Sequence, residues 1–157
     1  MMSATVIADI ARIAHWKQVA SAHDTDRMLR WSLPRVAASS RRVDEAERAL
    51  GRPLPKQVRD FLCLADGWPA LHVDSDLFGT AELIAGRAQS LTDRPDALSV
   101  LDAHGLASKD VVVIGGSEHD LDLFVAVLDG APTLGGAVLW IAGQEVDQFP
   151  TFEAFLV

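Results

Sequence analysis

Three short apolar runs in the last third of the chain, residues 111–115, 121–128 and 138–142, are separated by connections too short to hold a crossover helix. Parallel neighbours need a dozen or more residues to return to the same end of a sheet, so these runs are expected to pair as antiparallel strands. Turn formers bound each of them: Asp110 and Gly115-Gly116 around the first, Asp129-Gly130 after the second, Gly143 after the third. A further short strand is expected at Leu71, Val73 and Leu77, where apolar residues are spaced by polar ones.

The first half of the chain has a helical period. Val6, Ile10, Ile13 and Ala14 recur at three- and four-residue spacing, which predicts an amphipathic helix over residues 4–20 with Trp16 near its end. Asp24 is placed to cap a second short helix running through Met28 and Leu29 to Trp31 and stopping before Pro34. Residues 37–42 are small and polar and read as a connection. A third helix is predicted over residues 43–50, with Asp44 as cap, Glu47 three residues on and Gly51 as terminator; Pro55 opens a fourth, carrying Val58, Phe61, Leu62 and Ala65 and ending at Asp66-Gly67. Residues 82–88 suit a helical turn or two, residues 90–103 a long loop or a loop with a short helix, and Thr151 a cap for a last helix bearing Phe152, Phe155 and Leu156. The class is therefore α+β: a largely antiparallel sheet packed with helices, plus an extra N-terminal helical region. The 157 residues, 49% hydrophobic, suit a single domain, and residues 1–42 are too few to fold alone.

Charge narrows the function classes. The net charge of −8 makes the whole molecule a poor partner for nucleic acid or an anionic membrane. The distribution is lopsided: residues 1–60 carry 11 basic and 7 acidic side chains, whereas residues 61–157 carry 3 and 15. That acidic part either serves solubility or attracts a basic partner. No apolar run approaches the ~20 residues that cross a bilayer. Asp9 and Arg12 interrupt the apolar start where a secretory signal would lie, and Cys63 is a lone thiol, so a cytoplasmic protein is expected.

The most reactive-looking stretch is Ser117-Glu118-His119-Asp120-Leu121-Asp122, between two predicted strands. A general base or a metal ligand needs partners that converge, and neighbours on a hairpin-like connection diverge, so a polar turn or a partner-binding loop is expected rather than a catalytic or metal cluster. His15, His23, His72 and His104 are scattered without metal-binding spacing, and Gly115-Gly116 and Gly135-Gly136 lack the lysine or helix start of a phosphate cradle. Cys63 sits in an apolar stripe without a base and is expected to be a buried packing thiol rather than a nucleophile. No enzyme machinery, cofactor or metal site is expected. Trp68, followed by Pro69, Asp74 and Asp76, has two readings: an aromatic anchor for a partner whose basic residues pair with the carboxylates, or a tryptophan closing the edge of the core. Trp140 alternates with Val138 and Ala142 and is assigned to the core.

Residues 44–67, DEAERALGRPLPKQVRDFLCLADG, resemble the opening signature of the SUKH superfamily, which groups bacterial immunity proteins with fungal regulators of cell-wall assembly. The helix bearing Glu47, then Leu50-Gly51, Leu54-Pro55, the helix with Phe61 and Leu62 and the end at Gly67 carry the likeness; VVVIG, DLFVAVL, AVLWIA and TFEAFL continue it in the same order. The resemblance covers residues 43–157 and leaves residues 1–42 as an N-terminal extension packed on that core. Two positions depart from the family pattern, with Asp66 where it has asparagine and Val58 where it has an aromatic residue. The resemblance implies a non-enzymatic immunity protein that neutralises a cognate toxin of bacterial competition systems, with a regulatory scaffold for endogenous partners as the alternative. On that reading Trp68, Asp74, Asp76, Glu118, Asp120 and Asp122, with Glu145 and Asp147 beside them, form the docking surface. A nuclease is the leading candidate toxin, because it presents cations to phosphate that carboxylates can cover.

Overall fold

The computed structural model describes residues 4–157. The order of elements is α1 (Ala4–His23), α2 (Ser40–Leu50), α3 (Lys56–Leu62), β1 (Trp68–His72), β2 (Ser75–Leu77), α4 (Thr80–Ala85), a 3-10 segment (Arg87–Asp93), α5 (Pro95–Ala103), a 3-10 turn (Ser108–Asp110), β3 (Val111–Gly116), β4 (Leu123–Val127), β5 (Val138–Ile141), β6 (Glu145–Phe149) and α6 (Phe152–Leu156). The six strands form one antiparallel meander in chain order, and the α+β class is as expected.

The sheet is buried on both faces, which is why β3 and β4 read as continuous apolar runs instead of alternating ones. On one face Val112, Ile114, Phe124, Ala126 and Val138 meet Val43 and Ala46 of α2, Val58, Phe61 and Leu62 of α3 and Phe152 of α6. Edge-to-face rings, Phe61 on Phe152 at 5.3 Å and Phe149 on Phe155 at 5.4 Å, fasten the C-terminal helix there. On the other face Val111, Val113, Leu123, Val125, Val127, Leu139 and Ile141 meet Ala97, Val100 and Leu101 of α5. That second layer comes from the middle of the chain, where the sequence suggested mostly loop.

Three further expectations change. Residues 24–31 form no helix. The Asp24 carboxylate accepts the backbone N–H groups of Met28 and Leu29 and the Trp31 indole N–H, so a looped segment satisfies donors that a helix would otherwise employ. Helix α2 starts a turn earlier than expected, capped by Ser39, whose hydroxyl accepts from the Arg42 N–H. Asp44 and Glu47, freed from capping, clamp Arg59 of α3 at 2.6 Å each, and Glu47 also takes the Leu54 N–H at 2.9 Å. Finally, β6 was not anticipated. Glu145, Val146, Asp147 and Gln148 are all exposed, so its sequence shows no apolar alternation.

The two margins of the sheet are treated differently. Along β1, the Arg35 N–H donates to the Gly67 carbonyl at 3.0 Å, the Ser32 hydroxyl to Pro69 O and the Lys17 ammonium to Ala70 O at 2.5 Å. The N-terminal extension thus covers this edge. The β6 margin is bare, but a bulge opposite Trp140 and Ile141 and the carboxylates of Glu145 and Asp147 make it a poor template for another strand of this chain. Among the described residues no helix is long and apolar enough to cross a membrane.

Candidate functional site

An open cleft of about 720 Å³ lies between the β2–β3 end of the sheet and the helical stretch over it. Its sheet side is formed by Asp76, Phe78, Gly115 and Gly116, and the connection after β3 adds Ser117, Glu118 and Asp120. The helical wall is Ala81, Glu82 and Ala85 of α4, then Arg87, Ala88 and Leu91 of the 3-10 segment, then Arg94. A register shift in β3 between Val113 and Gly115 lies at the floor, the kind of bulge that re-aims a strand end beside a site. Ala81 and Ala85 are exposed one helical turn apart, where a solvated surface would carry polar residues. The cleft is amphipathic: an apolar trough with four carboxylates and two guanidinium groups around it.

Those charges are not equally available. Glu82 accepts the Gly79 N–H at the start of α4 and pairs with Arg35 at 2.8 Å. Asp76 accepts the Ala70 N–H at 2.7 Å and has Arg30 at 3.6 Å. Both cations come from the N-terminal extension, so part of the charge asymmetry visible in the sequence is complementarity within the molecule. Glu118 and Asp120 are exposed and have no ion pair among the described residues. Arg94 is committed to Asp96.

The six residues expected to form a docking surface separate accordingly. Asp76, Glu118 and Asp120, from two distant stretches of chain, line the cleft together. Asp74 is exposed at the tip of the β1–β2 hairpin and does not line it. Asp122 is a strut: its carboxylate accepts the Trp140 indole N–H at 2.7 Å and the hydroxyl of buried Ser75 at 3.1 Å. Trp68 has to be corrected. It is fully buried, with its indole N–H on the Ser32 carbonyl at 3.1 Å, because the N-terminal extension closes over β1; it cannot anchor a partner. Trp140 is half-buried, with His72 edge-on at 4.9 Å. Glu145 and Asp147 lie on β6, Glu145 against His104 at 2.5 Å. Sequence reasoning missed the helical wall, whose only signal was the four-residue spacing of Ala81 and Ala85.

One clamp fixes the acidic connection. The Arg94 guanidinium grips Asp96 at 2.5 and 3.0 Å and donates to Leu121 O at 3.0 Å, while Asp96 also accepts the Gly143 N–H at 3.0 Å. The Arg94 hydrogen bond, with help from Gly143, holds the Asp96 carboxyl down to about 2. A carboxylate depressed in the folded state stabilises fully above the unfolded value near pH 4, and that contribution disappears as pH falls through about 2. Asp96→Asn is therefore expected to cost about 1–2 kcal/mol at pH 7, with the gap to the parent protein closing between about pH 4 and pH 2. Urea unfolding against pH checks this; a gap that persists at pH 2 contradicts it.

Among the described residues no three His, Cys, Asp or Glu side chains are grouped to hold a metal ion. His119 is exposed, with its backbone N–H on the Ser117 hydroxyl at 3.2 Å. Cys63 is exposed too, not buried as expected, because it caps the end of α3 beyond the apolar stripe. In comparisons with known proteins, no family model matches the chain. No curated protein matches it either.

Proposed function

We propose that this chain is a cytoplasmic immunity protein that binds a cognate toxin and neutralises it through its acidic cleft, without catalysing a reaction. The observation that carries the reading is the convergence of Asp76, Glu118 and Asp120 on one amphipathic hollow, with Glu118 and Asp120 in no ion pair among the described residues. Carboxylates presented this way complement the cationic surface a nuclease needs for phosphate, and they steer such a partner in solution. The resemblance of residues 43–157 to the SUKH pattern supports the same class.

The test is affinity for the product of the neighbouring toxin gene as ionic strength rises. Reversing both free charges, Glu118→Lys with Asp120→Lys, is expected to weaken binding roughly 10- to 100-fold near 0.1 M salt and to flatten the salt dependence. Affinity indifferent both to salt and to these substitutions removes the acidic surface from the mechanism.

A second reading has its own observation. Ile13, Trp16, Ala20 and Trp31, with Arg12 and Lys17, border a shallow, open hollow of about 410 Å³ on the N-terminal extension, and Trp16 is 63% exposed. An exposed indole in a basic setting suits a scaffold that docks endogenous proteins through this extension. Genetic context separates the two: an adjacent gene for a large polymorphic secreted protein favours immunity, an isolated gene the scaffold.

A further inference from the structure

We propose that the cleft is a receptor for one kind of polypeptide segment: an apolar side chain with arginine or lysine beside it, supplied by the partner. This rests on the acidic-cleft reading and specifies what that cleft recognises. A site for bare positive charge would need no hydrophobic wall, yet Phe78, Ala81, Ala85, Ala88 and Leu91 line this one, and Ala81, Ala85 and Leu91 remain exposed. An apolar group laid there would cover surface that the fold leaves wet. The volume of about 720 Å³ falls within the range of sites that enclose a compact ligand and exceeds what a single cation would fill.

Charge complementarity fixes the rest of the ligand. Arg35 already answers Glu82, Arg30 answers Asp76, and Arg94 is spent on Asp96, which leaves Glu118 and Asp120 on the connection after β3 against one cation without an ion pair among the described residues, Arg87 on the helical wall, and hence an acidic excess. A guanidinium or ammonium next to the apolar group meets these two. The clamp through Arg94 and Leu121 holds the connection that presents them, so the carboxylates are displayed on a tethered segment. A second copy of this chain is opposed by its net charge of −8, but its residues 1–60 are net basic, so shifts of the same amides that grow with protein concentration in the absence of peptide would make a second copy the occupant and overturn the inference.

The experiment uses the full chain, labelled with nitrogen-15, and the synthetic peptide acetyl-Ala-Leu-Arg-Leu-Ala-amide. Amide resonances of Ala81, Ala85, Leu91, Glu118 and Asp120 are expected to shift saturably at millimolar peptide. The shifts are expected to be lost with either of two control peptides, one with both leucines replaced by serine and one with the arginine replaced by glutamate. Glu118→Gln with Asp120→Asn, both exposed and therefore tolerated by the fold, is expected to weaken the peptide about three- to tenfold. Shifts that map elsewhere, or that persist with both control peptides, overturn the inference. The two readings fail separately. A toxin still captured by a chain carrying Ala85→Glu with the Glu118 and Asp120 substitutions overturns the cleft as receptor and leaves immunity standing, whereas peptide binding at the cleft with no affinity for the neighbouring toxin removes immunity alone.

Discussion

Trp68→Ala is expected to destabilise the protein by about 3–5 kcal/mol, a large part of the margin of an ordinary domain. Trp68 is the largest fully buried side chain, and it lies within the cluster formed with α2, α3 and α6. Its removal opens a cavity and leaves the Ser32 carbonyl without the indole N–H that holds the N-terminal extension on β1. Trp68→Phe keeps most of the ring volume and loses only the donor, so a cost of about 1–2 kcal/mol is expected. Urea unfolding monitored by far-ultraviolet circular dichroism distinguishes them. A loss below 1 kcal/mol for Trp68→Ala contradicts the buried role.

Gly67→Ala is expected to be comparably damaging, by about 3–5 kcal/mol, for a backbone reason. Gly67 has φ +84°, where an L side chain is strained, and a Cβ there would lie 2.5 Å from the Gly79 nitrogen and 2.8 Å from the Leu77 carbonyl oxygen. Neither obstacle is a side chain that can swing away. The same crossing places the Asp66 carboxylate on the Thr80 N–H at 2.6 Å and on its hydroxyl at 2.9 Å, so the end of the α3 region and the start of α4 are fastened together. As α4 supplies one wall of the cleft, Gly67→Ala should also blur the amide resonances of Ala81 and Ala85. A variant with parental stability and spectrum contradicts the close approach.

What the sequence revealed follows from which forces are local. The strands at residues 111–116, 123–127 and 138–141 were legible because double-sided burial demands unbroken apolar runs. The last helix was legible because Thr151 caps it through its own hydroxyl. β6 was hidden because an exposed edge strand has no hydrophobic face to advertise. The false helix at residues 24–31 arose because Asp24 carries the same chemistry in a cap and in a loop, where it takes the Met28 and Leu29 N–H groups. At the site, acidity drew attention to Asp76, Glu118 and Asp120, but composition does not show that Arg30 reaches the first and that Asp122 points to Trp140. Trp68 failed as an anchor for the same reason, since its cover comes from a segment 36 residues earlier.

The pairing of Arg30 and Arg35 with two carboxylates of the cleft has a consequence for selectivity. Any incoming cation that seeks Asp76 or Glu82 must first win an exchange against a resident one. On the proposed reading, a weakly basic protein would gain little from that trade, while a strongly basic one would gain enough to prevail. The extension would then act as a discriminating filter, built from the chain's own arginines.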